Sequence, residues 1–289
     1  VQSAIVPAAA KSQSSGCAVT TNTRSIWLSS KGSITTKITA AITCLLPTDR
    51  LTNMSALLDG LNPQQLAAVK HEGSPLLVVA GAGSGKTRVL TRRIAYLLAQ
   101  RNVAPYEVLA ITFTNKAAGE MKERVTELVG DRAKVMWVST FHSACVRILR
   151  KEASLLGYTN SFTIYDQSDS LRLVNLVMKD LNLDIKKYAP RAVAALISQA
   201  KNELLGPADY LNQSKDQFQE MVAQVFSIYQ RRLTGANSMD FDDLIAKTVE
   251  VMQRHPEVRA KYRSRFKHIL VDEYQDTHHA PYALIKQLV

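Results

Sequence analysis

The sequence predicts an α/β fold, in which a parallel sheet covered by helices is interrupted by a mostly helical insert. Three observations carry that expectation. Short apolar runs alternate with helix-forming stretches between residues 76 and 156, as βαβ units require. A glycine-rich turn joins the first of these runs directly to a helix. The period then turns helical over residues 167–254 before an apolar run returns at 268–271, so the sheet-forming segments are split along the chain.

Taken in order, residues 1–53 stand apart. They are rich in Ser and Thr, hold five Lys/Arg against one acid, and show no sustained period. The composition fits either an organelle transit peptide or an upstream-extended N-terminus. Only Arg24 and Arg50 are arginines and Met54 opens a conventional start, which favours the second reading, with residues 1–53 expected to be disordered. Asn62 followed by Pro63 gives an N-cap and a first-turn proline, hence a helix. The run LLVVA at 76–80 reads as a buried strand, and helix follows from Lys86 to about Ala99. Strands at 108–112 and 135–139 precede helices at 116–129 and 141–156. After a short strand at 162–165, four amphipathic helices are expected at 167–181, 190–204, 215–234 and 240–254, with Gly206-Pro207 and Gly235 as breaks.

The bulk numbers set limits. A chain of 289 residues with 46% hydrophobic content supports one large domain or two ordinary ones, and no run is long enough to span a bilayer. The net charge of +11 points toward a polyanionic partner, although +4 of it belongs to residues 1–53. Cys17, Cys44 and Cys145 lack disulfide or metal-ligand spacing, which fits a reducing compartment.

Residues 80–88 carry the chemistry. Ala80, Gly81, Ala82, Gly83, Ser84, Gly85, Lys86, Thr87 and Arg88 lie between a strand and a helix, the layout of a phosphate-binding loop, although Ala80 stands where the full pattern has glycine. Glycines let the backbone curl around an anion with its N–H groups inward, and the helix adds its positive dipole end. Lys86 is placed to reach the β- and γ-phosphates of ATP, and Thr87 to put its hydroxyl on Mg²⁺. The strand at 268–271 ends in Asp272 and Glu273. An aspartate there suits Mg²⁺, and the adjacent glutamate can orient a water and take its proton.

Further motifs follow in order: ITFTNKAA at 111–118, VSTFH at 138–142, DFDDL at 240–244 and VDEYQDT at 271–277. With the phosphate loop, this series resembles the UvrD/PcrA/Rep family of superfamily 1 DNA helicases, over residues 54–289. The resemblance implies a RecA-like ATP-binding domain at 54–140 plus 266–289, a helical subdomain at 141–265, and ATP-dependent 3′–5′ translocation in DNA repair or replication in a bacterial cytoplasm. It makes Gln65 an adenine-reading residue, Arg124 a nucleotide-side arginine, Thr87 and Asp272 the metal residues, and Lys86 and Glu273 the catalytic pair. It places Thr112, Phe113, Thr114, Asn115, Thr140, Phe141 and His142 on single-stranded DNA, where hydroxyls, an amide and aromatics suit phosphate contact and base stacking. DFDDL has either a DNA role or a helix-capping one. His278 and Pro281 depart from the family pattern. Family motifs III to VI do not occur before Val289, so the chain reads as an N-terminal fragment whose partners are single-stranded DNA, duplex junctions and a second motor domain. The fragment alone is expected to bind ATP and single strands without unwinding. A non-motor nucleotide-dependent DNA-binding module or a pseudogene fragment is the alternative. A metabolic P-loop kinase is a third class, but nothing in the sequence resembles an acceptor site or lid.

Overall fold

The computed structural model describes residues 2–7, 57–81 and 83–289. The chain begins with strand β1 (Gln2–Pro7), then helix α1 (Pro63–Lys70), β2 (Leu76–Val79), α2 (Lys86–Ala99), β3 (Val108–Thr112), α3 (Asn115–Val129), β4 (Trp137–Thr140) and α4 (Phe141–Glu152). The insert holds β5 (Thr163–Tyr165), α5 (Gln167–Asp180), α6 (Pro190–Asn202), α7 (Pro207–Asn212), α8 (Gln217–Gly235) and β6 (Ser238–Asp240). Then α9 (Phe241–Arg254) and α10 (Pro256–Arg265) lead to β7 (His268–Val271) and α11 (His279–Leu288).

The main sheet has the order β2-β1-β7-β3-β4. β3 runs parallel to β4 and to β7, while β1 is antiparallel to both β2 and β7. Four strands therefore point one way and β1 alone points the other. Residues 1–53 are expected from the sequence to be disordered; residues 2–7 form this strand, and residues 8–56 lie outside the described residues. The physical reason is that β2 and β7 turn unpaired ladder edges toward each other, and a β-prone segment satisfies both at once. Pro7, which lacks an N–H, falls at the end of the strand.

Side-chain alternation in the central strands divides the core. Val108, Ala110 and Leu270 face α2 and α3, packing with Leu90, Ile94, Met121 and Val125. Leu109, Ile111, Ile269 and Val271 face the other way, against residues of α4, α9, α10 and α11 such as Phe141, Ile148, Val249 and Leu284. A separate core joins α5, α6 and α8 through Val177, Ile197, Phe226 and Tyr229. β5 and β6 pair in parallel as a second small sheet.

Side-chain caps fix where several helices start. Thr114, Thr140, Asp166, Asp216 and Asp240 each accept the N–H of the residue three further on, a contact worth about 1 kcal/mol apiece. Asp240 is also the hub of a buried network. Lys201 Nζ lies 2.6 Å from its Oδ2 and 3.0 Å from Asp243 Oδ1, and the Tyr229 hydroxyl donates to Asp240 Oδ2 at 2.7 Å. Burial opposes the charge on Lys201, but Asp243 and Asp240 outweigh it and hold the ammonium protonated. The DFDDL segment therefore caps α9 and ties it to α6 and α8.

Candidate active site

Sheet register brings the functional segments to one edge. Val79, the last residue of β2, lies opposite Gln2, and Val271, the last of β7, lies opposite Ala4. The phosphate loop and Asp272 thus leave the same edge two strands apart, roughly 10 Å at ordinary strand spacing. Thr112 pairs with Thr140 at the ends of β3 and β4 on that same edge. Carboxyl ends of parallel strands are where α/β sheets bind ligands.

Within the loop, Gly83 and Gly85 have φ of +74° and +85°, and Gly85 caps α2 in the left-handed conformation. Ser84 closes the turn by donating from Oγ to the Gly81 carbonyl at 2.7 Å. Lys86 folds back over the loop, donating to the carbonyls of Ala80 at 3.1 Å and Gly81 at 2.9 Å. Thr87 is half-buried in the first turn of α2. Ala82 lies outside the described residues.

Two supports of this loop were not visible as such in the sequence. Gln65 forms a capping box with Asn62, donating its N–H to Asn62 Oδ1 at 2.8 Å and accepting the Asn62 N–H at 3.0 Å. Its Nε2 then donates to the Ser84 carbonyl at 3.0 Å, so both ends of the Gln65 amide are engaged. An Asn followed three residues later by Gln is the sequence signal that could have revealed the box. Arg88 donates to the Asp59 carbonyl at 3.3 Å, and a Cβ on Gly60 would come within 2.8 Å of Arg88 Nη2.

Asp272 is buried, with its N–H donating to the Ile111 carbonyl at 2.9 Å beyond the β3–β7 ladder. Glu273 is a non-glycine residue at φ +53°, a strained conformation of the kind that clusters at functional sites. Its Oε2 accepts from Gln275 Nε2 at 2.5 Å, and its own N–H donates to Asp272 Oδ1 at 3.2 Å. Arg124 is half-exposed on α3, 3.4 Å from Glu120 one turn earlier.

The residues expected on DNA divide by burial. Phe113, Thr114 and Asn115 are exposed. Phe113 sits edge-on against Phe141, with centroids 5.8 Å apart. Thr112, Thr140 and Phe141 have relative exposures of only 1%, 8% and 3%. These three are buried at the carboxyl ends of β3 and β4 and at the start of α4. Thr140 caps α4 and donates to Ser143 Oγ at 2.9 Å. His142 is half-buried beside the exposed Phe241, with ring centroids 5.4 Å apart. Burial lowers its pKa from the ordinary histidine value, partly opposed by Asp242. Cys145 lies in the same helix, and burial pushes its thiol up to about 12, which makes it inert.

The donor set fits a nucleotide with its metal. Lys86 is an ammonium that donates to two neutral carbonyls, beside left-handed glycines and the start of a fourteen-residue helix. A hydroxyl and a carboxylate are available as hard oxygen ligands at Thr87 and Asp272. Among the described residues there is no cluster of three or more His, Cys, Asp or Glu placed to hold a metal ion.

Fold and loop together define a RecA-like P-loop domain carrying an inserted helical subdomain. Residues 61–289 match the model of the UvrD/REP helicase N-terminal domain, and the chain belongs to that family. It is 60% identical over 237 residues to ATP-dependent DNA helicase UvrD1 of Mycobacterium tuberculosis, covering 81% of this chain and 31% of that protein. It is 54% identical over 235 residues to ATP-dependent DNA helicase PcrA of Staphylococcus aureus, covering 81% and 32%. The chain thus spans about a third of the length of these relatives. No helix among the described residues is long and apolar enough to cross a membrane.

Proposed function

We propose that this chain is the first motor wall of an ATP-dependent DNA helicase that moves 3′ to 5′ along single-stranded DNA in the bacterial cytoplasm, in repair or replication. The observation that carries the reading is one sheet edge holding Lys86, Asp272–Glu273 and the exposed Phe113–Asn115 turn. Residues 54–140 plus 266–289 form the ATP-binding unit and 141–265 the helical subdomain, with α4 and α9 packed on the sheet core as the joint.

In this reading Lys86 leaves its two carbonyls for the β- and γ-phosphates, and the loop N–H groups enclose them. Gln65 turns part of its amide toward the adenine edge, and Arg88 and Arg124 stand by the nucleotide. Thr87 and Asp272 hold Mg²⁺, which neutralises phosphate charge. Glu273 orients the attacking water and takes its proton. Phe113 stacks on a base while Thr114, Asn115 and His142 meet the strand, and Thr112, Thr140 and Phe141 hold that turn in place.

Phosphoryl transfer also needs positive charge on the far side of the γ-phosphate, and a second motor domain supplies it in this reading. An arginine contributed that way is worth on the order of 10³–10⁵ in rate. The test is hydrolysis and strand separation by residues 1–289 with and without single-stranded DNA. Nucleotide binding and salt-sensitive strand binding are expected, with hydrolysis near background and no unwinding of a tailed duplex. Brisk DNA-stimulated hydrolysis would show that one wall is enough.

A further inference from the structure

At the opposite edge of the sheet, two arginines lie against one buried indole. The guanidinium carbons of Arg147, on α4, and Arg265, the last residue of α10, lie 4.0 Å and 5.0 Å from the Trp137 ring centroid. Trp137 opens β4, and Arg265 stands three residues before β7 begins, so both mark the amino ends of strands whose carboxyl ends carry the candidate DNA and nucleotide segments. Among the described residues no carboxylate pairs with either guanidinium. The acid at the end of α4, Glu152, is taken by Lys261 Nζ at 2.7 Å and the Tyr262 hydroxyl at 3.1 Å. Arg265 Nε is buried without a hydrogen-bond partner.

Two like charges held beside the same ring repel unless an anion compensates them. The Arg147 pKa is lowered by burial and then by Arg265, which fits an uncompensated pair. The surroundings add to the field, since residues 256–267 contain four further Lys/Arg and one acid, although Lys261 and Lys267 are paired with Glu152 and Glu107. A guanidinium seated over an aromatic ring keeps its N–H edges for a second partner, and a fork of N–H donors matches phosphate oxygens.

We propose that Arg147 and Arg265, seated against Trp137, form a second phosphate-binding site on the sheet edge opposite the phosphate loop, and that it takes the backbone of duplex nucleic acid. The proposal rests on the DNA reading above. Duplex is favoured over single strand because Trp137 and Phe266 are buried at 3% and 0% exposure, leaving no aromatic face for an unpaired base. What remains is phosphate contact, which positions a duplex without reading its sequence.

The chain holds two tryptophans, so Trp27→Phe leaves Trp137 as a local fluorescent reporter. That variant is titrated with blunt duplex DNA, with inorganic phosphate and with a polyglutamate peptide. Duplex should give a saturable signal, and Arg147→Gln with Arg265→Gln should lower the salt slope of duplex binding by about 1–2 while single-strand binding is unchanged. An unchanged slope, or an equal response to polyglutamate or to phosphate alone, overturns the site. Arg147→Lys with Arg265→Lys guards against misfolding: it should retain most of the slope, and the Trp137 titration decides alone if the glutamine pair does not fold. Failure of the parent chain to bind single-stranded DNA would instead count against the wider DNA reading.

Discussion

Gln65 Nε2 and the Ser84 carbonyl stand 3.0 Å apart, joining the first turn of α1 to the phosphate loop nineteen residues later. The loop is therefore braced from outside as well as shaped from within. A Cβ on Gly85 would approach that same Nε2 to 3.1 Å, so brace and glycine occupy one tight space.

Gly85→Ala should consequently do more damage than Gly83→Ala. Both positions have positive φ, a strain of about 1–2 kcal/mol for a residue with a side chain. Only Gly85 adds a close contact, since nothing lies within 4 Å of a Cβ at Gly83. Urea unfolding of the two variants checks the order, and equal losses would mean that the Gln65 brace contributes nothing.

Phe113 and Phe141 touch each other yet should respond oppositely. Phe113→Ala removes an exposed ring and should weaken single-stranded DNA binding by about 1–3 kcal/mol with little change in stability. Phe141→Ala empties a buried site and should cost about 3–5 kcal/mol of stability. Anisotropy with a labelled oligonucleotide, paired with thermal melting, separates the two effects.

Lys201→Ala should be among the most destabilising changes in the helical subdomain. It strands Asp240 and Asp243 as buried carboxylates, and breaking one side of such a network costs about 3–5 kcal/mol. Lys247→Ala removes a pair whose partners are 22% and 26% exposed and should cost under about 1 kcal/mol. Comparable unfolding midpoints for the two variants would contradict the network.

Much of this site was legible in the chain because its signals are local. The strand–glycine–lysine order points to a candidate phosphate loop, and Asp272–Glu273 at the end of an apolar run to its proposed complement. Helices α1, α2 and α9 begin within a residue of where Asn62, Lys86 and Asp240 place them. The rest depends on contacts distant in sequence. The short strand β6 and the placement of Lys201 become meaningful only once α6, α8 and α9 pack. Burial of Phe141 follows from its packing in the core shared by the sheet, α9 and α11. Strand β1 has no local period long enough to mark it, and its pairing is dictated by the facing edges of β2 and β7.

The most direct test of the central claim is equilibrium binding of a fluorescent ATP analogue with Mg²⁺ to the wild-type chain, Lys86→Ala and Glu273→Gln. Losing Lys86 removes charge-assisted contacts worth about 1.5–3 kcal/mol, a weakening of roughly 10- to 150-fold. Glu273→Gln should bind like wild type, because its role lies in orienting water rather than holding phosphate. Equal loss in both variants, or none in Lys86→Ala, would contradict the assignment of this sheet edge as the nucleotide site.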